Sequence, residues 1–411
     1  MRVLVSGASV AGPVLAYWLT RGGFDVTVVE RAPALRKTGG HAVDLFRPAM
    51  EISERMGVLP AIEQHATGID LLTVHRPWGR RPVHIDNRKL IAAMSDRHVE
   101  IMRDDLSEIY FDAGRDDVEY VFGDEITAIT DDGEVSFRRG AARRFDLVVG
   151  ADGLHSGVRR LVFGDAVTED FLGGYLSVVS VPRSFAREGV GNSYFEPDRM
   201  AMVYTARHLD DARAVFLFRP DAPLDYDHRD VERQQAQLCA AFTGMAAEVD
   251  RWLEEVPRTP AFYFDAITQL TMTTWSRGCV TLVGDAGYCP GPAVGGSTSL
   301  AVYGAYVLAC ELVAAGGDHT VAFPAYERTM MPSVLGSRSL ARVNAKTIVP
   351  RSRIGLRALV GVARAISILP LGVTKAVARL NRRGVRLYDN MPLPEYAESP
   401  ETIAAPGESA S

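Results

Sequence analysis

Cysteine, lysine and net positive charge are all scarce in this chain. Its 411 residues include four cysteines, Cys239, Cys279, Cys289 and Cys310. None forms a C-x-x-C pair and none stands at metal-ligand spacing from a histidine, so neither a disulfide framework nor a metal is expected, and a reduced, cytoplasmic protein is. The missing basic, apolar leader fits the same compartment. Lys and Arg number 45 against 51 Asp and Glu, a formal net charge of -6 without a basic stripe, which argues against nucleic acid as a partner. Lysine is confined to Lys37, Lys89, Lys346 and Lys375, a bias to which we attach no function. The apolar segment 354–380 carries Arg357, Arg364, Lys375 and Arg379 and is broken by Pro370, so it is too polar for stable membrane insertion. Docking on the protein body, a dimer contact and an interfacial helix are its readings.

What is present points to a soluble globular protein, 47% hydrophobic and 23% charged, of a length that suits two packed domains better than one core. The first thirty residues carry the densest signal. An apolar strand, Val3-Leu4-Val5, runs into Gly7-Ala8-Ser9-Val10-Ala11-Gly12 and an apolar helix, and a second strand, Val26-Thr27-Val28-Val29, ends at Glu30. Gly7 permits the tight turn and Gly12 lets the helix approach the strand. The helix N-terminus offers unpaired N–H groups and positive dipole charge to a pyrophosphate. A carboxylate at the end of the second strand suits two ribose hydroxyls. This βαβ unit is therefore a site for an adenine dinucleotide, with Ser9 replacing the middle glycine of G-x-G-x-x-G. Its bulk crowds the phosphates, but its hydroxyl can bond to them.

Downstream, the helical spacing of Met50, Ile52 and Met56 predicts a helix stopped by Gly57, and another is expected over about 104–111. Strands are expected at 71–74, 83–85, 118–122, 126–130 and 135–138, in a region whose 69–101 portion is otherwise irregular. The apolar run Leu147-Val148-Val149 marks a return to a buried parallel sheet. Alternating segments at 175–181, 191–195, 200–205 and 214–218 predict an antiparallel sheet inserted into the dinucleotide fold. Helices at about 228–243 and 245–254, strands near 262–267 and 280–283, and long helices over 297–314 and from 321 onward complete the pattern. The last dozen residues have the composition of a disordered tail. The fold class is α/β, a Rossmann-like dinucleotide-binding domain with an inserted antiparallel-sheet substrate domain and C-terminal helices. Its segments are 1–70, 101–170 and 276–345 for the dinucleotide, 71–100 and 171–275 for the substrate, then 346–398 and the tail 399–411.

Two further motifs follow buried strands: Asp146, then Gly150-Ala151-Asp152-Gly153-Leu154-His155-Ser156-Gly157-Val158-Arg159, and Gly284-Asp285-Ala286-Gly287-Tyr288-Cys289-Pro290-Gly291-Pro292-Ala293-Val294-Gly295-Gly296-Ser297. With the N-terminal fingerprint they resemble, over about residues 1–345, the FAD-dependent aromatic hydroxylases, single-component flavoprotein monooxygenases with the p-hydroxybenzoate hydroxylase fold. The resemblance implies FAD contacts from Gly7, Ser9, Val10, Ala11, Gly12, Glu30 and Arg31 at the adenylate end. It implies Arg103, of Arg103-Asp104-Asp105-Leu106, at the pyrophosphate or ring, and Asp152 and Arg159 in a segment that touches both FAD and the nicotinamide cofactor. Gly284, Asp285, Pro292, Gly295, Gly296, Ser297 and Thr298 would surround the ribityl chain and ring. Gly39-Gly40-His41-Ala42-Val43-Asp44-Leu45 is similar to the tetracycline-modifying hydroxylases of the same family, which adds Gly40, Asp44 and Leu45. The loop after Asp285 opens a helix whose dipole suits the negative charge of reduced flavin. Two departures stand out: Tyr288 where the family commonly has histidine, and Gly295-Gly296-Ser297 where it commonly has Gly-x-Gly.

The same resemblance implies NAD(P)H as electron donor, dioxygen as co-substrate and a flavin hydroperoxide that passes oxygen to an electron-rich ring, so that the cofactor carries the difficult chemistry. No catalytic residue is assigned. His41, His208 and Tyr204 are candidate bases toward a phenol and Arg47 a candidate charge near the ring. Tyr194, Met202, Tyr204, Phe216 and Phe218 are candidate lining for a large, flat, hydrophobic aromatic substrate of polyketide or polyphenol type. A flavin dehydrogenase or reductase, a Baeyer–Villiger oxygenase and a catalytically silent flavin-binding partner are the alternatives, while the lack of a W-x-W-x-I-P segment argues against a halogenase. A monomer or homodimer is expected.

Overall fold

Two kinds of apolar pattern sort the chain into two large sheets in the computed structural model, which describes residues 1–35, 40–79, 81–95, 97–225, 227–292, 296–370, 372–373, 387 and 391–394. Gly39, Ala293, Val294, Gly295, Lys375, Arg379 and the tail 399–411 lie outside the described residues. The continuous apolar runs form the first sheet. Its strands Arg2–Ser6, Asp25–Glu30, Glu119–Phe122, Leu147–Gly150 and Val280–Leu282 are parallel, with Ser276–Arg277 antiparallel at one edge. Val3, Leu4, Val5, Leu147, Val148 and Val149 are all fully buried, as strands covered on both faces require. Ile126–Ile129 and Glu134–Phe137 leave this sheet and pair with Arg143–Arg144 in a separate three-stranded one.

Helix Ala11–Arg21 packs against Arg103–Gly114 and Ser297–Ala314. The last of these is long and apolar enough to cross a membrane, yet 72% of it is buried inside the protein. A Cβ on its Gly304 would meet Tyr288 Oη at 1.9 Å, so it is a core helix that another core side chain abuts.

The alternating segments form a seven-stranded sheet in the order Phe262–Thr271, Thr168–Pro182, Asp211–Phe218, Arg199–Tyr204, Val190–Glu196, Leu71–His75 and Val83–Asp86. One expectation needs correction here: the sheet is mixed, because Val190–Glu196 and Leu71–His75 pair in parallel. A parallel pair is made by a long crossover, and no local turn signal marks it. The faces of the sheet have different neighbours. Ala201, Tyr175, Phe216 and Phe218 cluster with Phe242 and Trp252 of helices Val231–Phe242 and Ala247–Glu254. On the other face Leu176, Val178, Tyr204, Leu217 and Ile267 cluster with Met102 and with Ala341 and Ala345 of helix His319–Thr347.

The stretch 69–101 is more regular than its sequence suggests. It holds helix Asn87–Met94 and the start of strand His98–Met102, which pairs with Ala42–Phe46 in a two-stranded ribbon. Asp44 and Glu100 stand opposite each other in that ribbon and interrupt its apolar pattern, which hid both strands. Helix Arg353–Ile368 ends before Pro370 and rests Leu356 and Val360 on Val74, Val83 and Ile85.

Phe216 is fully buried and its ring lies 4.9 Å from Phe242, edge to face. Phe216→Ala should therefore cost about 3–5 kcal/mol in urea denaturation while changing flavin affinity by less than about twofold. A loss of flavin affinity larger than the loss of stability would put this side chain on the wrong face.

Candidate flavin site

The parallel strands end at one level, and their exits lie side by side. Gly7 N donates to Val29 O at 2.8 Å, Ala151 N to Ser6 O at 2.8 Å and Val283 N to Gly150 O at 2.9 Å. Such a row of carboxyl strand ends is where open α/β sheets bind ligands. Glycine is required for the exits to meet. Gly7 has φ +109°, and a Cβ there would sit 2.5 Å from Ala151 O, while a Cβ on Gly12 would sit 1.9 Å from Gly7 O. Gly284, at φ +66°, faces Ala11 and Ala301, each within 3.5 Å of where its Cβ would be. The first and third motifs therefore pack directly against each other.

Helix Ala11–Arg21 carries no side-chain cap and no acidic residue in its first turn, and the same holds for Ser297–Ala314, whose N-cap Gly296 is left-handed at φ 58°. Both N-termini thus present backbone N–H groups and positive dipole charge to an anion. Glu30 stands beside the first of them: Oε2 accepts from Ala8 N at 3.0 Å and Oε1 from Ala32 N at 2.8 Å. Each oxygen keeps a second lone pair for a ribose hydroxyl.

Arg103 ties the motifs together. Its exposed guanidinium donates to Ser9 Oγ at 3.2 Å, and its backbone N donates to His41 O at 3.0 Å. Gly40 N donates to the Asp104 carboxylate at 2.7 Å, and a Cβ on Gly40 would strike that carboxylate. Burial raises the Asp285 carboxyl above its ordinary value, with the Arg103 charge opposing the shift. Burial, then Arg103, lower the His41 imidazole to about 4. His41 is therefore neutral near pH 7 and too weak a base for a phenol, and its ring centre lies 5.6 Å from that of Tyr263.

Several expected residues have hydrogen-bond partners within the protein. Asp152 accepts from the Ser156 hydroxyl and from Gly157 N and Val158 N at 2.8 and 3.2 Å, so its carboxylate holds the first turn of helix Gly157–Phe163. Arg159 is buried and donates to Ala286 O at 2.9 Å, joining the middle motif to the third from within the core. Leu45 is fully buried, and Asp44 binds His98 Nε2 at 2.6 Å. Tyr204 accepts from Ala42 N at 2.8 Å, and burial pushes its phenol well above its ordinary value. His208 pairs with Asp105 at 2.7 Å, and Arg47 lies 3.8 Å from Glu51 one helical turn away. Of the proposed substrate lining, Met202 and Tyr204 share the face that carries Met102 and Tyr263. Tyr194, Phe216 and Phe218 belong to the helix-covered face, because alternation along a strand fixes which residues share a face but not which face is the open one. Val10 and Ala11 are buried, Arg31 is exposed, and Pro292, Gly296, Ser297 and Thr298 are half-buried.

Tyr288, the family departure, is fully buried, its ring centre lies 4.7 Å from that of Trp275 in a tilted arrangement, and it hydrogen-bonds to Tyr326 at 3.0 Å. It points into the core. Ser299, which the sequence did not single out, accepts from Phe46 N at 2.9 Å and donates to Asp44 O at 3.1 Å, fastening the ribbon to helix Ser297–Ala314. Arg213, also missed, is buried and donates to Gly40 O at 3.2 Å. A cavity of about 250 Å³ opens beside the middle motif between Leu154, His155, Glu169, Tyr175, Asp265 and Thr268. His155 Nε2 lies 2.9 Å from the Asp265 carboxylate, and His228 stacks on its ring at 4.3 Å.

Two outcomes follow. Arg103→Ala should weaken FAD binding about tenfold to a hundredfold, the scale of a lost charged hydrogen bond, in titrations of apoprotein followed by flavin fluorescence. An unchanged Kd would remove Arg103 from the site. Loss of surrounding water and the neighbouring Asp44 carboxylate push the Glu100 carboxyl up to about 7 from an ordinary 4.5. The folded chain then holds that proton more tightly than the unfolded one, so this group lowers stability as pH rises from about 4.5 to 7 and adds no further slope above. Glu100→Gln should flatten that slope in urea melts run across the interval, and an unaltered slope contradicts the assignment.

Comparison with known proteins agrees with this geometry. The family model for the FAD binding domain matches residues 1–320. The uncharacterized protein Rv1260 of Mycobacterium tuberculosis (strain ATCC 25618 / H37Rv) is 44% identical over 331 residues, covering 79% of this chain and 88% of the relative. A flavin-dependent monooxygenase of Legionella longbeachae is 36% identical over 330 residues, covering 79% and 84%. Among solved structures, tetracycline destructase Tet(51) superposes with a TM-score of 0.82 at 31% identity, covering 96% of this chain and 99% of that one. With its motifs joined in one crevice and its relatives flavoenzymes, the chain belongs to the FAD-binding flavoprotein monooxygenases of the aromatic hydroxylase type.

Proposed function

We propose that this protein is an NAD(P)H-driven, FAD-dependent monooxygenase that hydroxylates an aromatic, polyketide-like small molecule. The observation that carries the reading is the placement of Arg103, whose side chain binds Ser9 in the first motif while its charge acts on Asp285 in the third. FAD, when bound, supplies the capacity to take reducing equivalents from NAD(P)H and deliver them to dioxygen. Gly7, Ser9, Gly12, Glu30 and the N-terminus of helix Ala11–Arg21 would hold its adenylate and pyrophosphate, Asp285 its polyol, and Gly296, Ser297 and Thr298 its ring.

The chain's own residues supply the environment. Arg103 and the N-terminus of helix Ser297–Ala314 provide positive potential where reduced flavin is negative. The apolar inner face of the sheet, with Leu176, Val178, Met202 and Ile267, keeps water from a hydrophobic acceptor. His41, held neutral, can orient a phenol by hydrogen bonding without adding charge. The likeness to tetracycline destructase Tet(51) supports a fused-ring polyketide as the acceptor class. The cavity beside His155 would receive the nicotinamide. Because Tyr288 lies in the core, its departure from the family pattern offers no support for a catalytically silent protein.

The purified protein should be yellow, and a phenolic polyketide should accelerate its NAD(P)H oxidation and oxygen uptake and acquire label from ¹⁸O-dioxygen. Substrate reduction or dehydrogenation without label would make it a dehydrogenase or reductase, and bound FAD that NAD(P)H never bleaches would make it silent. His155→Ala should raise KM for NAD(P)H about tenfold with flavin content unchanged, in steady-state kinetics. An unaltered KM removes the cavity from the nicotinamide path.

A further inference from the structure

Helix Arg353–Ile368 has an apolar face that no contact among the described residues requires. Leu356 and Val360 bury its inner side against Val74, Val83 and Ile85. Turning about 100° per residue places Ile354, Ala358, Gly361, Ala365 and Ile368 on the opposite side, with Val362 at one margin and Arg353, Arg357 and Arg364 along the other. Ile354 is 78% exposed, Ile368 69% and Val362 60%. An outward apolar stripe flanked by arginines inverts the polarity of a surface helix, whose outer side is ordinarily charged.

The charge around it is equally one-sided. The chain carries a formal net charge of -6, yet residues 346–370 contain Lys346, Arg351, Arg353, Arg357 and Arg364 and no Asp or Glu. Arg351 lies 3.6 Å from Asp198, but among the described residues Arg353, Arg357 and Arg364 form no ion pair. Arg357 sits 5.6 Å from the ring of half-buried Trp78, an aromatic of the kind that settles at membrane interfaces. Leu72 and Phe195 pack against both this helix cluster and the inner-face cluster of the sheet, so the buried side of the helix, beneath the stripe, is continuous with the apolar wall of the proposed substrate region.

We propose that helix Arg353–Ile368 is a peripheral docking surface for an anionic lipid bilayer, with Ile354, Val362 and Ile368 entering the interface and Arg353, Arg357 and Arg364 contacting lipid headgroups. The length is right for lying in the interface and wrong for crossing it. The net negative charge of the rest of the molecule repels an anionic surface and so selects this one face for approach. A hydrophobic acceptor dissolved in the bilayer would then be delivered beside the cleft.

Co-sedimentation of the full-length protein with phosphatidylcholine vesicles, with and without phosphatidylglycerol, tests this independently of enzyme activity. Each cation near an anionic surface is worth roughly fivefold in partitioning, so Arg353→Gln/Arg357→Gln/Arg364→Gln should reduce binding to the phosphatidylglycerol vesicles at least about tenfold, as should high salt. Ile354→Ser/Val362→Ser/Ile368→Ser should reduce it similarly, with thermal stability and flavin uptake unchanged to show that the fold survives. Absence of binding to the anionic vesicles, equal binding to neutral ones, or indifference to the arginine substitutions overturns the proposal. A dimer in sedimentation velocity that the serine variant dissociates, without vesicle binding, overturns it too and assigns the face to a second copy of the chain.

Discussion

The guanidinium of Arg103 is the charge on which the crevice depends. Burial raises the carboxyls of Asp104 and Asp285, and Arg103 opposes the shift at both. Two carboxylates drawn out of water near one cleft are costly unless a cation faces them. Burial, helped by the same charge, keeps His41 neutral, so the region nearest the proposed ring gains no competing cation from imidazole. Arg103 can do this because its backbone is fixed: it opens helix Arg103–Gly114 directly after strand His98–Met102, and its N–H is held by His41 O.

Around that charge, the architecture works by close approach of backbone to backbone. A side chain on Gly7 would collide with Ala151 O of the middle motif and one on Gly12 with Gly7 O, while Gly284, at positive φ, packs against Ala11 of the first motif and Ala301. Each brings an N–H-bearing turn or a helix N-terminus to the same edge of the parallel sheet. The mixed sheet and its two helices form an independent apolar body, and its inner face meets the crevice through Met102, Tyr204 and Tyr263. Tyr204 and Ser299 then pin the ribbon Ala42–Phe46 from opposite sides, one through Ala42 N and the other through Phe46 N.

Much of this was legible before any coordinates. Parallel strands announce themselves as unbroken apolar runs, and the helix expected over 297–314 has those ends. Glu30 and Asp285 could be named because each stands at or just past the end of an apolar strand, Arg103 only through the resemblance carried by Arg103-Asp104-Asp105-Leu106. The faces of the mixed sheet could not be told apart: Phe216 and Met202 alternate equally well, and only the helices covering Phe216 decide which side is closed. The hydrogen bonds of Asp152 to the first turn of helix Gly157–Phe163 were not foreseen, although its residue type also suits a helix cap. Glu100 and Ser299 act through partners distant in sequence, Asp44 and Phe46, and no local spacing encodes such pairs.

A crystal structure of the protein loaded with FAD tests the central claim most directly. The account requires the dinucleotide to extend from Glu30, across the N-terminus of helix Ala11–Arg21, to Asp285, with the Arg103 guanidinium in contact with it. FAD bound elsewhere, or bound in this crevice with Arg103 still hydrogen-bonded to Ser9 alone and turned from the cofactor, would contradict it.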